Sequence, residues 1–261
     1  MIKRLSNEDI SRFEAICTHL ALPFSESGES IGTFNEKRVH RAIKQFINPD
    51  TACHEIKVGP SVADVISDGM IYEIQTGSFR PLTKKVAAYL GESKNNVRII
   101  CPIVTKNTVV RLDTSTGEIL RSRKMNTKKS AINILPELIY LSDFLKNPRL
   151  CFDVYFIETE ERRYSDKIYR YRKKGKRDSE VFPVTLGSIV SLETTDDFLS
   201  LIPESILEKS KTNDGFTAAE FASATSLLGR DSYLALGALC AIGILDSHKE
   251  GRKATVFSFV S

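Results

Sequence analysis

The sequence predicts an α/β protein, a mixed sheet flanked by helices, with a small C-terminal module of helices and a hairpin. Two observations carry this. Between residues 34 and 104 the apolar pattern runs from helical spacing through three short strand-like stretches, back to helical spacing, and into one apolar strand. From residue 196 onward helical spacing dominates until the tail 246–260, which reads as a hairpin.

Taken in order, Asn7–Ala21 reads as a short amphipathic helix and Leu22–Ile31, with its Ser, Gly and Pro, as a loop. Phe34, Val39, Ile43 and Phe46 share one face of a second helix, Phe34–Phe46, which Asn48-Pro49-Asp50 ends. Three strands follow, Cys53–Val58, Val62–Ser67 and Met70–Thr76, divided by tight turns at Gly59-Pro60-Ser61 and Asp68-Gly69. A helix over Leu82–Leu90, stopped by Gly91, leads to the apolar strand Val97–Val104. Val109–Asp113 and Glu118–Ser122 form a hairpin about Ser115-Thr116-Gly117. Ala131–Leu145 reads as a helix, Arg149–Thr159 as an alternating strand, and Val181–Leu192 has the composition of a strand pair.

Phe198–Glu208, Ala218–Ser226 and Arg230–Leu245 are the helices of the C-terminal module, and its hairpin has Glu250-Gly251 at the tip. That order is the order of a winged helix-turn-helix. A DNA-reading helix is normally polar on its exposed face. Here the second helix of the pair is apolar (Tyr233, Leu234, Leu236, Leu239, Ile242, Ile244), which leaves the role of this module open between DNA and a protein partner or homodimer. Lys249, Arg252 and Lys253 in the hairpin are placed to touch phosphates.

No apolar run approaches the ~18 residues that a bilayer span needs, and the N-terminus lacks a signal-peptide core, so the expectation is a cytoplasmic protein without a membrane partner. Cys17, Cys53, Cys101, Cys151 and Cys240 are scattered in apolar contexts, which reads as free thiols rather than disulfides or zinc ligands. The net charge of +4 is mild, so any nucleic-acid surface must come from where the charge lies. It lies in Arg162–Arg177, where Arg162, Arg163, Lys167, Arg170, Arg172, Lys173, Lys174, Lys176 and Arg177 stand against one acid, Asp166. Tyr164, Tyr169 and Tyr171 interleave with them, a pattern suited to phosphates and exposed bases.

The most specific feature is VADVISDGMIYEIQTG. With Asp68-Gly69 as a two-residue loop, Ser67 pairs with Met70, Ile66 with Ile71, Val65 with Tyr72, and Asp64 with Glu73. The two carboxylates then face each other, roughly 5 Å apart, with Gln75 further along the same face. Both faces of the hairpin are otherwise apolar, so the acids need something positive between them: a lysine, an arginine or a hard divalent cation. Glu36 lies on the preceding helix, one turn before His40, where it either joins this group or closes a capping box with Thr33.

This arrangement resembles the PD-(D/E)xK nuclease superfamily, across residues 33–105. The family's helix glutamate, second-strand aspartate and third-strand Glu-x-Lys fall at Glu36, Asp64 and Glu73-Ile74-Gln75, with Gln75 in place of lysine. Lys84 or Lys85 on the next helix is the candidate source of the missing charge. The resemblance implies a restriction endonuclease-like domain over 1–160, followed by basic and aromatic connecting strands over 161–195 and a winged-helix-like domain over 196–261. It implies Glu36, Asp64, Glu73 and Gln75 as catalytic residues. Asp64, Glu73 and the backbone carbonyl of Ile74 would ligate Mg2+, with Mn2+ as a substitute. The activity implied is DNA hydrolysis by metal-activated water, of restriction, transposon, repair or phage-defence type, with RNA the other nucleic acid that the charge suits. The rival expectation is a non-catalytic DNA-binding or regulatory protein that keeps a degenerate nuclease fold as scaffold.

Overall fold

A computed structural model of the 261-residue chain describes residues 2–3, 5–21, 34–113, 115–165, 179–211, 215–249, 251 and 254–260. The main sheet is built from β1 (Ile2–Lys3), β2 (His54–Val58), β3 (Ser61–Ser67), β4 (Met70–Ile74), β5 (Asn96–Asp113), β6 (Ile119–Asn126), β7 (Leu150–Ser165) and β8 (Ser179–Leu192). Its order is β1-β8-β7-β5-β4-β3-β2, with β6 on β5 past the end of β4. β5 is parallel to β4 and to β7, whereas the remaining pairs are antiparallel, so the sheet is mixed.

Two helical layers cover it. α1 (Asn7–Leu20) and α2 (Phe34–Ile47) bury Phe13, Val39, Ile43 and Phe46 against Ile74, Ile100 and Tyr155. Their spacing of three or four residues puts these side chains on one stripe of each helix. Ser6 closes a capping box with Asp9 and starts α1. On the other face, α3 (Leu82–Glu92) contributes Val86 and Tyr89 to a core with Ile71, Val97, Ile99 and Phe152.

The β3–β4 hairpin has the register that its turn dictates: Ser67 opposite Met70, Ile66 opposite Ile71, Val65 opposite Tyr72. Asp68 and Gly69 both have positive φ, 50° and 73°, as a type I′ turn requires.

Elsewhere the segments differ from expectation, each for a physical reason. The strands expected at Val97–Val104 and Val109–Asp113 are one strand, β5, because β7 offers a parallel partner from Val97 to Asp113, with a single register shift at Thr105. Val181–Leu192 is part of one strand, not a pair; its register on β7 skips Val184 and Gly187, so bulges absorb what looked like a turn. Gly91 does not stop α3, which runs on to Glu92. The helix expected over Ala131–Leu145 is a 3-10 turn (Ala131–Ile134), α4 (Leu135–Leu138) and a second 3-10 segment (Ile139–Phe144) that is irregular at Leu141. Phe198–Glu208 divides into α5 (Thr195–Leu199) and α6 (Glu204–Lys211), with Pro203, which has no N–H to donate, just ahead of α6.

The C-terminal module adds β9 (Phe216–Thr217), α7 (Ala218–Thr225), α8 (Arg230–Ile242), β10 (Leu245–His248) and β11 (Val256–Phe259), with a three-stranded sheet in the order β10-β11-β9. Leu236 and Leu239 of α8 share one core with Leu135 and Leu138 of α4. Gly237 permits that approach, since a Cβ there would stand 3.1 Å from Ile139 Cδ1. The apolar face of α8 is thus used within the chain, while Tyr233 stays exposed. All five cysteines are free, and burial pushes the Cys17 thiol up to about 12. Among the described residues no helix is long and apolar enough to cross a membrane.

Candidate functional site

The pairing of β3 with β4 ends at Val65 and Tyr72, while β4 continues along β5 to Ile74, opposite Ile100. The two hairpin strands therefore part where Asp64 and Glu73 stand. The N–H of Ile74 donates to Asp64 Oδ2 at 2.7 Å, so the aspartate side chain bridges the opening. His40 of α2 brings Nε2 to 3.0 Å from the same oxygen.

Glu73 is 3% exposed. Lys85 Nζ donates to its Oε1 at 2.5 Å, and the Tyr89 hydroxyl lies 2.9 Å from Oε2. Lys85 and Tyr89 are four residues apart on α3, hence on one side of it. The Tyr89 oxygen also lies 2.8 Å from the carbonyl of Val62. A phenol has one proton to donate. That O–H is therefore shared between Glu73 Oε2 and the Val62 carbonyl.

Burial, and then the charge of Asp64, raise the Glu73 pKa; the bonds from Lys85 and Tyr89 offset only part of this. Burial also works to raise Asp64, but His40, the Ile74 N–H and Lys85 together outweigh it, and Asp64 titrates below the ordinary range. Two carboxyl groups side by side are thus driven apart, Asp64 toward the carboxylate and Glu73 toward the acid.

Asp64, Glu73 and Lys85 come together as the sequence suggested; Lys84 is exposed on the preceding position of α3. Gln75 follows the last residue of β4, and its Nε2 donates to the Ser78 carbonyl at 2.6 Å, so its amide is engaged in the following turn. Glu36 is within α2, but its side chain lies outside the described residues, as does the Thr33 of the suggested capping box. Among the described residues no group of three or more His, Cys, Asp or Glu side chains is arranged to hold a metal. His40 and Tyr89 are the members that the sequence reading left out.

Of the basic stretch, Lys167, Arg170, Arg172, Lys173, Lys174, Lys176 and Arg177 lie outside the described residues, with Tyr169 and Tyr171. Arg162 and Arg163 lie near the end of β7, on opposite faces. Arg162 pairs with Glu160 and lies over the Phe182 ring, beside Arg38 of α2; Arg163 pairs with Glu161. Tyr164 donates to Glu180 rather than standing free to stack. In the C-terminal hairpin, Lys249 is exposed, and Arg252 and Lys253 lie outside the described residues.

Residues 37–193 match the family described as a domain of unknown function, DUF8091, and the chain belongs to it. The matched region includes His40, Asp64, Glu73, Lys85 and Tyr89 and leaves out the C-terminal module. The chain is also similar to an uncharacterized protein of Treponema pallidum (strain Nichols), 28% identical over 149 residues, a match that takes in 57% of this chain and 58% of that relative. No solved structure matches it.

Proposed function

We propose that the protein is a divalent-metal-dependent DNA endonuclease whose site is Asp64, Glu73 and Lys85, on a restriction endonuclease-like arrangement of the main sheet. The carrying observation is the Lys85–Glu73 contact at 2.5 Å beside Asp64. In the resemblance to PD-(D/E)xK nucleases, Gln75 occupies the position of the family's lysine and brings no charge. Lys85, from the next helix, supplies an ammonium on the same carboxylate.

The donor set fits a hard cation. Two carboxylates that raise each other's charging cost, with the Ile74 carbonyl as the third ligand implied by the resemblance, are oxygen donors of the kind Mg2+ and Mn2+ take. When bound, such an ion makes water a nucleophile at neutral pH and offsets charge building on the phosphate. Asp64 enters ionised, held by His40 and the Ile74 N–H. Glu73 would hold such an ion as a carboxylate, and Lys85, whose Nζ is on that carboxyl group, would be placed to neutralise a phosphate oxygen. Gln75, anchored on Ser78, orients water beyond the end of β4. Glu36 is a further acid for this site by resemblance alone.

The order α6, β9, α7, α8, β10, β11 supports a winged-helix reading of the C-terminal module. A second reading has its own observation. Both oxygens of Glu73 have partners within the chain, as in a scaffold that binds DNA without cutting it. Incubation with linear, circular, single-stranded and branched DNA, with and without Mg2+ or Mn2+, separates the two. Metal-dependent cleavage that Glu73→Ala abolishes is the expected result. Cleavage that ignores metal, or survives Glu73→Ala, removes the proposed site, and binding without cleavage favours the scaffold.

A further inference from the structure

We propose that the outer half of β5, with β6, forms a second contact surface that holds the sugar–phosphate backbone of a DNA duplex through Arg111, Arg121 and Arg123. The inference rests on the nucleic-acid reading above for its choice of DNA, but not on cleavage.

Register places these residues. Arg111 of β5 is opposite Arg121 of β6 on one side and Arg163 of β7 on the other; one step inward, Val109 is opposite Arg123 and Glu161. Residues paired across a ladder share a face, so Arg111, Arg121, Arg123 and Arg163 all project from the face opposite Arg162 and Phe182. β6 is exposed at every residue, and Arg111 is exposed as well. With Met125 and Val109, the four arginines line a hollow of ≈ 160 Å³.

Their states differ. Both Nε and Nη2 of Arg163 donate to Glu161, which neutralises it as a wall of the hollow. Among the described residues Arg111, Arg121 and Arg123 have no such carboxylate. Three cations within two rungs of a sheet repel one another, an arrangement that polyanion binding relieves. The hollow has only Val109 and Met125 as apolar lining, too little for the apolar anchor on which protein interfaces usually turn. Guanidinium groups also match phosphate geometry.

Position argues for a duplex. Glu73 is opposite Ile99 on β5, and Arg111 stands twelve residues further along that same strand. At about 3.3 Å per residue this is at most about 40 Å, close to one turn of B-form DNA at about 34–36 Å. A duplex spanning that distance would present equivalent stretches of backbone at its two ends. β6 returns from the tip toward the site, where the Thr127 N–H meets the Thr105 carbonyl, and the exposed Lys128 and Lys129 follow.

The test is fluorescence anisotropy of the full chain with a labelled duplex of about three helical turns, in EDTA, as a function of salt. Arg111→Ala/Arg121→Ala/Arg123→Ala should bind roughly 10- to 100-fold more weakly, and its salt slope should fall by about 2.7, near 0.9 per lost phosphate contact. The triple Arg→Lys variant should recover most of that slope, and melting temperature should hold throughout. The proposal is overturned if the alanine variant binds like the wild type, or if the wild type binds no duplex. Displacement by poly-glutamate, or by an RNA duplex, at lower concentration than by unlabelled DNA also overturns it. Because the measurement uses no metal, a protein that never cuts DNA leaves the outcome readable.

Discussion

The two ends of β5 treat charge in opposite ways. Near Ile99, Glu73 is buried and Asp64 nearly so, and every charge is met inside the chain, by His40, Lys85, Tyr89 or the Ile74 N–H. Near Arg111, three arginines (Arg111, Arg121 and Arg123) stand in solvent with no carboxylate among the described residues. A buried charge without a partner costs several kcal/mol, whereas an exposed one costs little. The inner end is therefore satisfied by the fold itself, while the outer end is available to something the chain does not contain.

This contrast can be broken by substitution. The largest expected effect is on cleavage: Glu73→Ala should lower the single-turnover rate by more than about 100-fold, beyond what loss of a supporting partner costs a metal site. A smaller loss would separate Glu73 from the chemistry. Next, Lys85→Met leaves Glu73 buried without its cation and should cost on the order of 2–3 kcal/mol in denaturant unfolding. Glu73→Gln/Lys85→Met should recover more than half of that, and additive single effects would show that the contact carries no coupling.

Tyr89→Phe removes the hydroxyl between Glu73 and the Val62 carbonyl. The expected cost is about 1–2 kcal/mol, or roughly 2–8 °C in melting temperature. An unchanged melting temperature would show that water replaces the hydroxyl.

The pH profile sharpens the contrast further. Burial first, and Asp64 second, raise Glu73 above its ordinary 4.5, so the folded chain holds a proton there that the unfolded chain releases. Stability from this group is then greatest below 4.5 and declines as pH rises through the folded value. Glu73→Gln cannot lose that proton, so its melting temperature should gain on the wild type as pH climbs from 4.5. A difference that is flat with pH would count against the raised pKa. The smallest expected effect is at the outer end: Arg111→Ala, Arg121→Ala and Arg123→Ala should each change stability by no more than about 0.5 kcal/mol. A larger loss from any of them would mean that the outer face is also part of the fold's own charge balance.

Much of the inner site is legible in the sequence because a two-residue turn sets register by local geometry. Asp68-Gly69 placed Val65 opposite Tyr72, and Asp64 and Glu73 followed at the opening of the hairpin. Lys85 was legible only as one of two neighbours; the phase of α3, which buries Val86 and Tyr89, is what turned Lys85 and not Lys84 toward Glu73. His40 gave no signal because its bond to Asp64 crosses from the α2 layer. The outer face was also hidden. The Ser115–Gly117 turn was read, but a strand expected to break after Val104 gave no reason to align Arg111 with Arg163.

The sequence by itself determined what is local: the helix stripes, the type I′ turn with its first three rungs, and the order of elements on both sides of them; the fourth rung, Asp64 opposite Glu73, does not form because the strands part there. Tertiary structure alone decided what depends on distant partners. The parallel pairing of β5 with β7, some fifty residues downstream, made one long strand from two expected ones and gave the molecule both its ends. Bulges turned an expected strand pair into β8, and α4 took up the apolar face of α8. The reason is the range of the forces involved. Turn geometry and side-chain periodicity act within a few residues. Strand continuity, burial and charge pairing depend on surfaces that meet only when the whole chain has folded.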